Sequence, residues 1–413
     1  MAGPALAQSQ SGAKAERMLE HIANSVLSGR VEKPVTRSVM GPTGASGSLA
    51  FSAQSDLKND LVDRYLSRAI SHFLPWESPD RSREFLRNTG TKYVHWSHLL
   101  WGGPPPDFRA LAREIDAVHG SDWGGDVVFE AGVMEIVNRD VTNSAPIPDW
   151  LYQCMEDLGI DKVRKPGPKG PKYFSYENMF DRNAKDWPAR YFGRWDKDAN
   201  GDIASPPDIT MLETQLWFAY LISEYIDAGF ESIMFGQIGM VGKRDKGYAC
   251  THAMAEFAKQ YAAGRGYRHA VFLSTHLSQA DYKGKPIFTH MTWPSRLFYT
   301  DRYPFGMECG LNAPEDGVHK CVKEYRALLN TPHDLPILIE IDNYGRVPPG
   351  TGYACTPEGD DEITAYMQKP TSARAAFLSL RPTRTPKANG GCASRRREND
   401  AGMCRTRRWA GKK

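Results

Sequence analysis

No run of about 18 uninterrupted apolar residues occurs in the 413-residue chain, so nothing in it reads as a transmembrane helix. The seven cysteines, Cys154, Cys250, Cys309, Cys321, Cys355, Cys392 and Cys404, are odd in number and contain no Cys-x-x-Cys pair. That implies neither a disulfide framework nor a zinc ribbon. Asn-x-Ser/Thr sequons are also missing, and together these absences favour a soluble protein of a reducing compartment, the cytoplasm over secretion. The opening MAGPALAQSQ has no charged n-region and no long apolar core, although Ala5-Leu6-Ala7 resembles the cleavage end of a secretory signal. No His-x-His pair of the kind that holds a metal in barrel amidohydrolases is present.

What is present is an ordinary globular mix, 41% hydrophobic and 24% charged, with 10 Trp among its aromatics. The formal net charge of +3 is unevenly spread. From Arg381 to Lys413, eleven Lys or Arg face only Glu398 and Asp400, so the tail carries +9 and residues 1–380 about −6. An acidic body argues against nucleic acid as a partner, and no feature calls for a membrane. The expected partner is a small molecule or an oligosaccharide, no cofactor is implied, and the oligomeric state is left open.

Residues 1–35, with one short amphipathic run, AERMLEHIANSVL, read as a loosely held N-terminal arm. Residues 36–380 then alternate. Apolar runs suited to buried parallel strands lie at 92–97, 126–133, 231–238, 269–275, 286–291 and 335–342. An earlier strand is a candidate near Val35 to Met40. Helical patterns fall at 55–74, 107–120, 208–230, 249–266, 317–330 and 362–378. Strand, helix, strand implies right-handed βαβ units and a parallel sheet. Polar and aromatic residues gather at the end of nearly every strand. That favours an α/β fold of the (β/α)8 TIM-barrel type over a doubly wound sheet, which concentrates such residues at one switch point. Residues 160–207, rich in Pro, Gly, Trp and Tyr, read as a long irregular insertion or lid. Residues 381–413 have almost no apolar side chains and read as a disordered basic tail, which leaves the barrel incomplete if the tail has replaced the last strand.

Two acids stand out. Glu130 lies inside the apolar run VVFEAGVMEIVNRD, where a carboxylate faces the barrel lumen either as a general acid of raised pKa or as a structural partner of a buried cation. Glu340 and Asp342 in ILIEIDNYG share one strand face. Two carboxylates in opposite protonation states are the minimum apparatus for breaking a glycosidic bond, and Glu130 with Glu340 is the first pairing. His95, His276 and His290 stand at or near strand ends, and with Asp342 they form an alternative, metal-holding set. Trp96, Trp101 and Trp293, with Trp187, Tyr191 and Trp195 of the insertion, offer flat faces for sugar rings. His98, Glu135, Asn138, Gln237 and Arg296 are placed to bond hydroxyls. The stretch DKDANGDI matches the first half of a calcium loop, but Pro207 replaces its closing Glu, so a plain Asx-rich turn is expected.

Through VVFEAGVMEIVNRDV, PDW, PDITMLETQLWF, YIDAGFESIMFGQI and LIEIDNYG, the region from about Lys92 to Tyr344 resembles the glycoside hydrolase type of (β/α)8 barrel, and more narrowly a poorly characterised group of bacterial barrel proteins. In the largest clan of barrel glycosidases an Asn-Glu pair ends the fourth strand; this chain has no such pair, and its fourth strand ends in Gln237. The expectation is therefore a glycoside hydrolase with Glu130 as acid/base, Glu340 as nucleophile or base, and Asp342 tuning it. The alternatives are a metal-dependent hydrolase or lyase and a carbohydrate-binding barrel without catalysis.

Overall fold

The computed structural model describes residues 3–41, 57–100, 102–133, 136–181, 204–276, 280–298, 306–308, 335–341 and 379–380. Its centre is one parallel sheet. The strands β1 (Ala69–Ser71), β2 (Tyr93–Leu99), β3 (Val128–Gly132), β4 (Ser232–Met234), β5 (Phe272–His276), β6 (His290–Phe298) and β7 (Ile337–Ile341) pair side by side in chain order. Each pair is parallel. A two-residue β8 (Ser379–Leu380) adds to β7, also parallel. Strand order that never reverses has no switch point, so the sheet is singly wound. It curls into an incomplete barrel, with helices between successive strands from β1 to β5 and a short hairpin, Asp281–Tyr282 with Lys285–Pro286, between β5 and β6. The doubly wound alternative is thereby set aside.

Short, apolar, β-branched or aromatic runs explain the strands, 3.6-residue periodicity explains α2 (Asn59–Leu66), α3 (Pro79–Thr89), α4 (Phe108–His119) and α5 (Asp149–Asp157), and longer runs of helix-forming residues give α6 (Leu212–Asp227) and α7 (Ala249–Arg265). Asp107 caps α4, its carboxylate accepting from the amides of Arg109 and Ala110. Two cores result. The residues facing the barrel axis near the start of the strands, Ala69, Tyr93, Val128, Phe272 and Leu338, form one cluster with Val62, Tyr65 and Leu66 of α2. The outward faces, such as Val94, Phe129, Ile233 and Leu273, join the helices in a much larger second one.

Three readings change. The N-terminal segment is not a loose arm: α1 (Gly3–Leu27) buries Ala15, Met18, Leu19, Ile22, Ala23 and Val26 in the outer core. It runs parallel to α7, with Gly12 beside Ala249 at one end and Leu27 beside Gly264 at the other. A Cβ on Gly12 would lie 2.5 Å from that of Ala249, so the missing side chain is what allows the approach. The stretch 36–41 is not a strand; Arg37 donates its amide to the Asp227 carbonyl, and Ser38 and Val39 donate theirs to the Asp116 carboxylate. The first strand is instead β1, carved from the end of what reads as one long helix over 55–74, because α2 stops at Leu66.

The predicted insertion is described over 160–181 and 204–207, and its first part packs on α6. Phe174 meets Trp217 edge-on at 4.9 Å, and Arg164 forks onto Glu213 with two 2.6 Å contacts, both residues buried. Covered on both sides, α6 is buried almost all round, which explains why its sequence lacks a polar stripe. The calcium-like stretch, Trp187, Tyr191 and Trp195, the predicted helices at 317–330 and 362–378, and the basic tail lie outside the described residues. Among the described residues no helix is long and apolar enough to cross a membrane.

Candidate functional site

Inside the barrel, one step of two residues beyond the axial cluster, the side chains turn polar. Tyr93 is followed by His95 on β2, Val128 by Glu130 on β3 and Phe272 by Ser274 on β5, because strand side chains alternate faces. Ser232 of β4 pairs in register with Glu130, and His290 of β6 with Ser274. All of these are fully buried.

Glu130 is the hub. One carboxylate oxygen, Oε1, lies 2.6 Å from His95 Nδ1 and accepts the amide of Trp96 at 3.3 Å. The other, Oε2, accepts from the Tyr93 hydroxyl at 2.5 Å, Ser274 Oγ at 2.8 Å and Ser232 Oγ at 3.3 Å, with His290 Nε2 3.8 Å away. Tyr93 also shares hydrogen bonds with Ser232 Oγ at 2.7 Å and His290 Nε2 at 3.0 Å. Burial alone would push the Glu130 carboxyl up. His95 against it, followed by His290 and the Tyr93 hydroxyl, overcomes burial and holds it down at about 2. His290 goes the other way, lowered by burial to about 4 despite the nearby carboxylate. Burial and Glu130 together raise the Tyr93 phenol well above its ordinary value. At neutral pH the layer therefore holds an ionised carboxylate, a neutral His290 and an intact Tyr93 hydroxyl. Glu130 is not the carboxyl of raised pKa that its apolar run suggests, since donors from β2, β4 and β5 outweigh desolvation.

A bulge in β2 covers part of the layer. The β2–β3 register runs Tyr93 with Val128 and Val94 with Phe129, then resumes at His98 with Ala131, leaving two extra residues on β2. Trp96 sits in that bulge with φ of 48°, a left-handed conformation that costs a non-glycine residue about 1–3 kcal/mol. The consequence is an inward-turned indole, 1% exposed, whose Nε1 donates to Met234 Sδ at 3.0 Å and whose ring lies 5.3 Å from His95 and 5.6 Å from His276. His276, the last residue of β5, is buried beside it.

The structure thus gathers Glu130, His95, His290, Trp96 and His276 of the predicted set. It separates others. His98, past the bulge, shares a 2.7 Å hydrogen bond from Nδ1 with the Tyr225 hydroxyl of α6, and burial lowers it to about 4; it belongs to the helix side of the sheet. Asn138 is a helix cap, its side-chain oxygen accepting from the amides of Asp140 and Val141 at the start of the short helix Arg139–Ser144. Gln237 is half-buried at the turn after β4, where its carbonyl accepts from Met240. Trp293 and Arg296 are described as backbone of β6, opposite Ile339 and Glu308, and Glu340 as backbone of β7, opposite Pro294 and Ser379. Trp101, Glu135 and Asp342 lie outside the described residues.

The chain matches no family model, and no curated protein matches it. Chemical reading of the site therefore rests on its geometry. Among the described residues no group of three or more His, Cys, Asp or Glu is arranged to hold a metal. Of the predicted metal-holding set, His95 and His276 flank the Trp96 ring and His290 packs edge-on against Tyr93, while Asp342 lies outside the described residues. Sequence reading missed Tyr93, Ser232 and Ser274. The signal was there in Tyr93, two positions before His95 and so on its face; two serines within apolar runs carry no such mark until register places them.

Proposed function

We propose that this chain is a barrel hydrolase of glycosidic bonds in which Glu130 and Glu340, each two positions beyond the axial cluster on its strand, work in opposite protonation states. One observation supports the reading. Leu338 packs in the axial cluster with Tyr93, Val128 and Phe272, and the residues two positions further along those three other strands are His95, Glu130 and Ser274. Counting the same two positions along β7 reaches Glu340. Glu130, kept ionised by its donors, supplies fixed negative charge beneath a transition state of oxocarbenium character. Glu340 is the carboxyl that gives its proton to the leaving oxygen and recovers it from water. His95 is a positioning residue, its ring held between the Glu130 carboxylate and Trp96.

The experiment is a screen of aryl glycosides and polysaccharides with the full chain and its Glu130→Gln, Glu340→Gln and His95→Gln variants. A loss of about 10²–10⁴ in kcat for Glu340→Gln is expected, the usual worth of a positioned acid. Leaving groups that need no protonation should restore much of it. Full activity in both carboxamide variants would end the assignment. Saccharide binding without turnover on any substrate would instead make the chain a carbohydrate-binding barrel.

A further inference from the structure

At the opposite end of the sheet, where the strands begin, a cavity of about 260 Å³ is lined by Arg64, Tyr65, Ser67, Arg68, Lys92 and Asp126. Its one acid is already committed. Asp126 accepts from the Tyr65 hydroxyl at 2.5 Å and faces Lys92 Nζ at 2.9 Å and Arg268 Nη1 at 3.2 Å. Arg268 in turn forks onto the buried Glu231, so that pair brings no spare charge of either sign. Arg64 and Arg68 then add two full positive charges, and among the described residues neither has an ion-pair partner. Ser67 adds a hydroxyl at the same rim, its proton given to the Arg64 carbonyl at 2.8 Å and its oxygen left to accept.

We propose that this cavity binds the phosphoryl group of a small metabolite, with Arg64 and Arg68 as the two forks and Lys92 held back by its pairing with Asp126. A carboxylate is satisfied by a single guanidinium fork, whereas two forks four residues apart match an anion of higher charge with three acceptor oxygens. The volume falls below the range typical of drug-sized ligands, which points to a phosphate carrying little more than one small ring. Barrel chemistry sits at the strands' C-terminal ends, and this cavity lies at the other face, so the ligand is an effector or stabiliser and not the substrate. A competing role exists for both cations. Arg64 is in the last turn of α2, and Arg68 Nη1 comes within 3.6 Å of where a Cβ on Gly90, at the end of α3, would lie. There each would complement a helix dipole without any ligand.

Calorimetric titration of the full chain with inorganic phosphate and with a hexose phosphate, at constant ionic strength, separates the two. Constant ionic strength matters because exposed cations are screened within about 10 Å at 0.1 M salt. Both probes should bind the wild type at millimolar concentrations, and the Arg64→Gln/Arg68→Gln double variant should bind at least about tenfold more weakly, a difference of about 1.4 kcal/mol. The hexose without phosphate should not bind here. Tighter binding of the hexose phosphate than of phosphate itself would assign the remaining volume to the sugar. Equal affinity of wild type and double variant would overturn the proposal, as would no binding of either probe. A double variant that loses thermal stability while the wild type ignores phosphate would also overturn it, leaving only the dipole role.

Discussion

A buried carboxylate with five donors and a buried neutral imidazole make the fold acid-sensitive in a defined order. His290 titrates near 4 in the folded chain against an ordinary 6.5, so the unfolded chain takes up its proton first. Stability from this group is complete above about 6.5 and declines as pH falls towards 4. His119, lowered to about 3 by burial and by Arg268, acts in the same direction over a wider window. Glu130, held at about 2 against 4.5, adds a further loss only below 4.5. Urea midpoints measured from pH 7 to pH 3 should fall from pH 6.5 downward and more steeply below 4.5. A midpoint that is flat from pH 7 to pH 4 would mean that these imidazoles are solvated. Glu130 was legible in the sequence as a lumen acid because nothing else explains a carboxylate in VVFEAGV. Its protonation state was not, because that depends on Tyr93, Ser232, Ser274 and His290, which lie up to 160 residues away and converge only through register.

Single elements carry two further tests. The pairing of α1 with α7 predicts that Gly12→Ala destabilises, although alanine favours a helix over glycine by about 0.5–1 kcal/mol. The new Cβ would meet the Ala249 Cβ at 2.5 Å, a contact anchored directly to backbone, and overpacking of that kind costs about 1–3 kcal/mol. Thermal unfolding decides it: a raised melting temperature would show that α1 is not seated on α7. On the neighbouring α6, Arg164→Met strands the Glu213 carboxylate, whose burial already raises its pKa, and should cost about 3–5 kcal/mol in chemical denaturation. A loss below about 1 kcal/mol would mean that water reaches the pair. Helix α1 was misread because AERMLEHIANSVL looks like a short amphipathic run beside small polar residues. Glycine and alanine read as looseness in isolation and as close packing once a second helix lies alongside. β1 was missed for a related reason: three residues cannot outvote the helical periodicity of the twenty before and around them.

At the scale of the whole molecule, alternation of apolar runs with helical patterns was enough to reach a parallel α/β barrel, since consecutive strand order follows from short right-handed crossovers. β2, β3, β5 and β7 fall within a few residues of their predicted runs. β6 begins later than PIFTHM suggests, at His290, and extends to Phe298. Where strand ends lead into long connections, composition gave a list of polar candidates without depth; the bulge at Trp96 and the cap at Asn138 then decided which of them reach the axis. The layer reading makes one demand above all others: Glu130 and Glu340 at the same height, one charged and one carrying a proton. Infrared difference spectroscopy at pH 7 measures this directly through the stretching band of a protonated carboxyl. That band should be diminished in Glu340→Gln and retained in Glu130→Gln, whereas a spectrum unchanged by Glu340→Gln, or losing the band only in Glu130→Gln, would contradict the assignment.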